Sequence, residues 1–158
     1  GFPYVDARPA DLLGYHRAFC LYSEHYRGTP ERRGLVLGLD RGGSCRGRAF
    51  RVGTAEAEAA MDYLIKREML GHEVDVYELR WLGVALGDSG EAAQAACFVV
   101  NPAHDHYAGK LSPEEIAQII ASASGRTGTN REYLCNTIAH LDELGIADGP
   151  LHEVHQWG

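Results

Sequence analysis

The chain has 158 residues, with 22 acidic against 15 basic side chains and a net charge of −7. That length is one domain's worth, and a compact domain of this size buries roughly 70% of its unfolded surface. The acidic balance argues against a general nucleic-acid or anionic-membrane binder. No run approaches the ~18 apolar residues of a membrane span, and the first residues do not form the charged-then-apolar pattern of a leader. Gly1 is not an initiator residue, so the natural N-terminus is expected upstream of it.

Four cysteines, Cys20, Cys45, Cys97 and Cys135, lie far apart with no CxxC pair. This spacing argues against a disulfide scaffold or a cysteine zinc site and suits a reducing cytoplasm. The charge is uneven. Residues 1–53 carry nine Arg against five acids, and the remainder carries six Lys or Arg against seventeen acids. A basic half suits a small anionic ligand, and it equally suits solvated arginines on outward strand faces.

No internal repeat, low-complexity tract or linker interrupts the chain, which predicts a single domain over residues 1–158. The first third reads as β: GYHRAFCLYS (14–23), GLVLGLD (34–40) and SCRGRAFRV (44–52) are short runs between glycine- or proline-containing turns. The stretch DRGGS (40–44) is short enough to join the last two as a hairpin. Thr54 then starts a predicted helix with Glu56 and Glu58 in its first turn, where the helix dipole favours anions. Its apolar positions 57, 60, 61, 64 and 65 keep helical spacing, and Gly71 is a plausible stop.

Strand character returns in EVDVYELRWLGVAL (73–86) and AACFVVN (95–101). Ser112-Pro113-Glu114-Glu115 is a capping box with proline at the first helical position, and it opens a helix with Ile116, Ile119, Ile120 and Ala123 inward. Thr129-Asn130-Arg131-Glu132 is a second capping box, followed by Leu134, Ile138, Leu141 and Leu144. Strands first, one helix between strands, then helices: the predicted class is α+β.

The chemical motifs are sparse. His104-Asp105-His106 and His152-Glu153-Val154-His155 invite a metal reading, but neighbouring loop residues rarely complete a tetrahedral site without a distant ligand. HExxH is absent, and these read as surface histidines. GxSxG, GxGxxG and GxxxxGK[ST] are also absent. Arg41-Gly42-Gly43-Ser44 resembles a phosphate cradle only superficially, since a hairpin turn explains both glycines.

Glu68 is the informative residue. The stripe 57, 61, 64, 65 continues to 68 at helical spacing, which places a carboxylate where the pattern calls for an apolar side chain. Desolvation on such a stripe raises a carboxyl's pKa and makes it a candidate proton shuttle. A frayed last turn, with Glu68 in solvent or paired with Lys66 or Arg67, accounts for the spacing equally well.

Several stretches together resemble the ChaC-type γ-glutamylcyclotransferases, the glutathione-degrading branch of their superfamily. They are Tyr26-Arg27-Gly28-Thr29-Pro30 with Gly34, the DRGGSCRG stretch within Gly38 to Gly47, and Tyr63-Leu64 leading into Arg67-Glu68. Asn101-Pro102 with Tyr107 and Gly109 follow, then GRTGTNREYL (125–134). Their order and spacing match along nearly the whole chain.

The resemblance implies a small mixed β-barrel flanked by helices, with no metal and no organic cofactor. It implies conversion of glutathione to 5-oxoproline and cysteinylglycine, with Glu68 as catalytic acid/base, and a cytoplasmic monomer is expected. Arg27 and Tyr107 are the candidate substrate contacts. Arg27 bracing the Gly28-Thr29-Pro30 turn and Tyr107 packing in the core are the alternatives. Asn130 and Glu132 read as capping residues and Tyr133 as a packing residue. The family's YGSL-type loop, whose backbone amides hold the γ-glutamyl group, does not occur here and is expected upstream of Gly1. Two other functions remain compatible: a cyclotransferase for other γ-glutamyl amines, and a non-enzymatic binding or regulatory protein associated with cation transport.

Overall fold

A computed structural model describes residues 4–67, 75–87 and 89–157, with Trp157 described by its backbone. Strands β1 (Asp6–Ser23) and β2 (Gly34–Arg51) come first, then helix α1 (Ala57–Ile65) and strands β3 (Tyr77–Leu86) and β4 (Glu91–Val100). Helix α2 (Pro113–Ser122), the short strands β5 (Ser124–Gly125) and β6 (Gly128–Thr129), and helices α3 (Asn130–Glu143) and α4 (Gly149–Trp157) complete the chain. The class is α+β. The four long strands form one sheet in the order β2-β1-β3-β4, and β5 pairs with β6. The expected barrel is not closed among the described residues, because β2 and β4 stand at the two edges of the sheet.

Local chemistry sets the helix starts. The Ser112 hydroxyl accepts from the Glu115 amide, and Pro113 takes the first helical position of α2, where no N–H is needed. Thr129 does the same for α3 by accepting from the Glu132 amide at 3.1 Å. Helix α1 begins three residues later than Thr54, with Glu56 at its N-cap making no side-chain cap bond. Lys66 and Arg67 continue it as a wider π turn. Glu68 and the expected stop at Gly71 lie outside the described residues.

The DRGGS stretch departs from expectation. It does not turn the chain back, because β2 runs unbroken through it from Gly34 to Arg51. Gly42 and Gly43 take φ values of +108° and +64° in mid-strand, a backbone form that glycine adopts without a Cβ penalty. The His16 ring nitrogen Nδ1 lies 2.9 Å from the Gly42 carbonyl oxygen, so β1 holds the deformed segment. Mid-strand glycines of this kind mark a bulge as readily as a turn.

The chain packs as two compact units, and β1 and β2 each contribute to both: Gly1–His16 with Arg41–Asn101, and Arg17–Asp40 with Pro102–Gly158. In the first, β3 and β4 pair antiparallel from Tyr77↔Val100 to Leu86↔Glu91, and β1 adds Ala10↔Leu86 to Leu12↔Val84. Leu12, Ala60, Val84 and Val99 are buried there.

In the second unit, Phe19 and Leu35 pack with Ile120, Leu134, Ile138, Leu141, Leu151 and Val154 in the main hydrophobic core. Ile120, Leu134, Ile138 and Leu141 among them are inward positions expected after the two capping boxes. Leu144 and Ile116 pack against that core from partly buried positions.

One polar side chain sits inside this unit. Asn130 is wholly buried, and its Oδ1 accepts from the Leu35 amide while its Nδ2 donates to the Leu35 carbonyl, both at 2.8 Å. Asn130 is therefore no cap. Thr129 does the capping, and Asn130 supplies a strand-like pair of hydrogen bonds to a residue 95 positions away. Asn130→Ala should orphan two buried backbone groups, each costing about 1–3 kcal/mol. At 2–4 °C per kcal/mol for a chain of this size, melting should fall by roughly 5 °C or more. A melting temperature within a degree of the parent would show that water replaces the amide at no cost.

Candidate functional site

Three of the stretches that carry the family resemblance converge in the second unit. After β1, the Arg27 amide donates to the Ser23 hydroxyl, and Thr29 and Arg32 exchange backbone hydrogen bonds across a tight turn. The β5–β6 turn docks on this segment, with the Arg126 amide on the His25 carbonyl at 2.7 Å and the Thr127 amide on the Tyr26 carbonyl at 3.0 Å.

The backbones approach too closely for side chains. A Cβ on Gly125 would meet the Tyr26 carbonyl and the Gly28 amide at 2.6 Å, and a Cβ on Gly28 or Gly34 would run into the Gly34 amide or the Arg27 carbonyl. Glycine is what permits this contact.

Arg27 locks the arrangement. Its Nη1 donates to the Thr129 carbonyl at 3.1 Å and to Glu132 Oε2 at 3.2 Å, and its guanidinium lies over the Tyr133 ring. Its side chain is 16% exposed. Glu132 thus serves α3 through its amide and Arg27 through its carboxylate. Tyr133 does pack, edge-on against Phe19, and its hydroxyl also accepts from the Leu37 amide at 3.2 Å.

Tyr107 bridges to Leu21 near the end of β1 as an isolated antiparallel pair. The Tyr22 amide donates to the His106 carbonyl and the Ala108 amide to the Cys20 carbonyl. The Tyr107 hydroxyl donates to Asp40 Oδ2 at 2.9 Å, and Asp40 is buried. Desolvation, reinforced by the bond to Asp40 and its charge, pushes the phenol up to about 12. The Cys20 thiol is likewise pushed up to about 12, chiefly by burial and then by the Asp40 charge. Both groups keep their protons at neutral pH, so neither supplies a base or a thiolate nucleophile.

The first unit holds a cleft of about 570 Å³, within the usual range for small-molecule sites. The α1 positions Ala57, Ala60, Met61 and Leu64 form one wall. Residues 49–52 at the end of β2 and 93–96 of β4 also line it, so both edges of the open sheet border the cleft. Trp81 adds an aromatic surface, and Arg8 and Glu91 place a cation and an anion 3.5 Å apart at the lining.

Of the expected site residues, Glu68 lies outside the described residues, and Arg27 and Tyr107 lie in one unit, each held by its own carboxylate. Asp40 went unnoticed in the sequence, where its only signal is an acid closing the apolar run GLVLGLD.

The histidines have protein partners. His106 Nε2 lies 3.0 Å from Glu24 with the imidazole largely covered, contrary to a surface placement. His152 Nε2 lies 2.9 Å from Asp142. Among the described residues, no group of three or more His, Cys, Asp or Glu is placed to hold a metal, and no helix is long and apolar enough to cross a membrane.

Residues 1–157 match the sequence model of the ChaC-like protein family. The chain is 34% identical over 151 residues to a glutathione-specific γ-glutamylcyclotransferase of Escherichia coli, covering 96% of this chain and 64% of that protein. It is 31% identical over 140 residues to glutathione-specific γ-glutamylcyclotransferase 1 of Danio rerio, covering 84% and 68%. The chain thus spans somewhat under two thirds of the length of the bacterial relative. Its fold is that of a yeast γ-glutamylcyclotransferase specific to glutathione, with a TM-score of 0.79 at 20% identity over 98% of this chain and 89% of that one.

The Tyr107–Asp40 bond has a pH signature. A phenol that titrates near 12 when folded but near its ordinary value of 10 when unfolded keeps a proton the unfolded chain gives up. Its contribution is complete below pH 10 and is lost as pH rises toward 12, with a slope of at most about 1.4 kcal/mol per pH unit. Tyr107→Phe should flatten the fall of urea-unfolding stability in that alkaline window. It should also cost about 1–3 kcal/mol at neutral pH, where buried Asp40 loses one charge-assisted hydrogen bond. Parallel alkaline profiles for the two proteins would show that Tyr107 titrates alike folded and unfolded.

Proposed function

This chain belongs to the ChaC-like protein family, and from that premise we propose that it is a γ-glutamylcyclotransferase that converts glutathione to 5-oxoproline and cysteinylglycine. The observation that carries the reading is the α1 stripe. Ala57, Ala60, Met61 and Leu64 wall a cleft of substrate size, and Glu68 is the next member of that stripe by sequence spacing.

The chemistry asks little of the protein in the way of nucleophiles. The substrate's α-amine attacks its own γ-carbonyl and closes a five-membered ring, so no serine, cysteine or activated water is required. What the protein supplies is a folded substrate conformation, and near-attack geometry is worth roughly 7–11 kcal/mol of barrier. A base must take a proton from the α-ammonium, and an acid must deliver one to the departing amide nitrogen. A single carboxyl with a raised pKa serves both steps in turn, and Glu68 takes that role.

Arg27 and Tyr107 of the second unit are proposed as substrate contacts on the family resemblance alone, and Glu132 and Asp40 hold their polar ends. The tetrahedral oxyanion needs donors, a role that preorganised backbone amides fill well. The reaction needs no cofactor, and the protein acts as a cytoplasmic monomer on a small-molecule substrate.

Two measurements test this reading. The full-length protein should release cysteinylglycine from glutathione much faster than it cyclises γ-glutamyl-alanine. Equal turnover would move the assignment to a cyclotransferase of broader range, and the absence of any 5-oxoproline would favour a binding protein. Glu68→Gln should keep the fold and lose 10²–10⁴ or more of the rate, because glutamine preserves shape and hydrogen bonding but cannot carry a proton. A folded Glu68→Gln protein retaining more than about a tenth of the parent turnover would sink the mechanism.

A further inference from the structure

The four cysteines differ in surroundings. Cys20 is fully buried, Cys45 and Cys97 are half-buried in the first unit, and Cys135 is exposed on α3. Cys135 also has company. Its Sγ lies 3.8 Å from His155 Nε2, which α4 brings across from 20 residues further along the chain. Arg131, one helical turn before Cys135, completes a trio around a cavity of about 130 Å³ whose apolar lining includes Ala117, Ile120 and Leu134. A thiol, an imidazole and a guanidinium thus border one recess with room for several non-hydrogen atoms. None of the three belongs to the glycine-packed segment, to the Tyr107–Asp40 pair or to the cleft of the first unit.

We propose that Cys135 is a thiolation site, at which the protein accepts a small acidic thiol from a low-molecular-weight disulfide with His155 as the base and Arg131 as the carboxylate contact. The exchange balances without a further reactant. Sγ attacks one sulfur of the disulfide while Nε2 takes the thiol proton. The S–S bond breaks with its electron pair on the departing sulfur, which leaves as a thiolate and takes a proton from the imidazolium or from water. Cys135 is oxidised to a mixed disulfide, and half of the incoming disulfide is reduced to a thiol. The guanidinium suits the carboxylates of an acidic thiol peptide, and the apolar lining suits its methylene groups. The inference does not depend on the activity proposed above.

The test uses the reduced full-length protein with two probes, glutathione disulfide as the anionic one and cystamine as the cationic one, read by intact mass and peptide mapping. Cys135 should carry the first adduct with glutathione disulfide, ahead of Cys45 and Cys97, and the preference should vanish in urea. A free thiol at neutral pH is only a few per cent thiolate, so a positioned base has roughly tenfold or more to give. His155→Ala should slow the reaction of Cys135 by that factor with both probes. Arg131→Gln should slow glutathione disulfide severalfold and leave cystamine unchanged or faster, which a merely structural effect would not do.

The proposal fails if Cys45 or Cys97 reacts as fast as Cys135, or if His155→Ala leaves the rate unaltered. Equal effects of Arg131→Gln on the two probes would overturn the carboxylate contact. Because both probes are measured on one sample, a poorly folded variant would betray itself by exposing Cys20 to modification.

Discussion

The second unit depends on one side-chain amide. Leu35 is completely buried, so its backbone N–H and C=O have no access to water and must be paired within the protein. Asn130 does both jobs, accepting from the amide through Oδ1 and donating to the carbonyl through Nδ2. Aspartate would lack the donor and leucine would lack both partners. Because Asn130 is also the first residue of α3, the start of that helix is tied to β2 by two bonds whose loss would strand buried polar groups.

The rest of the segment is built around that tie. Thr129 caps α3 one residue earlier, and its carbonyl accepts from Arg27, whose guanidinium also reaches Glu132 one turn into the helix. Gly34, one residue before Leu35, lies against both the Arg27 carbonyl and the Asn130 side chain, where a Cβ has no room. A substitution at any of these positions acts on the others, since they share atoms in one network and their energies do not add independently. Such a network fixes geometry more than it supplies reactive groups. That would suit the cyclisation proposed above, whose barrier is lowered largely by holding the substrate in one shape.

The same logic separates the two kinds of thiol in this chain. Around Cys20, desolvation and the charge of Asp40 both oppose ionisation, and the phenol of Tyr107 is pushed the same way. Asp40 therefore acts as an acceptor that keeps its neighbours protonated. Cys135, on the exposed face of α3, instead lies beside an imidazole and borders a recess that Arg131 also lines. Reactivity in this protein follows surroundings rather than residue type.

The sequence by itself determined the features whose physics acts within a few residues. The two capping boxes set the starts of α2 and α3, the inward spacing of Ile120, Leu134, Ile138 and Leu141 set their buried faces, and strand character over 73–86 and 95–101 marked β3 and the later part of β4. The α1 stripe was likewise readable, since helical spacing alone aligns Ala57, Met61 and Leu64. Tertiary structure decided what depends on distant partners. DRGGS was as good a hairpin as any until β1 lay beside it, and only then did its glycines become a deformation within one long strand. Asn130 lies inside the Thr129–Glu132 capping box without capping the helix, and nothing nearby in sequence announces Leu35, 95 residues earlier. The meeting of Cys135 with His155 and of Tyr107 with Asp40 is of the same kind. Propensities and caps are encoded in spacings of three or four residues, whereas these pairings exist only after the chain has closed large loops and buried the groups concerned.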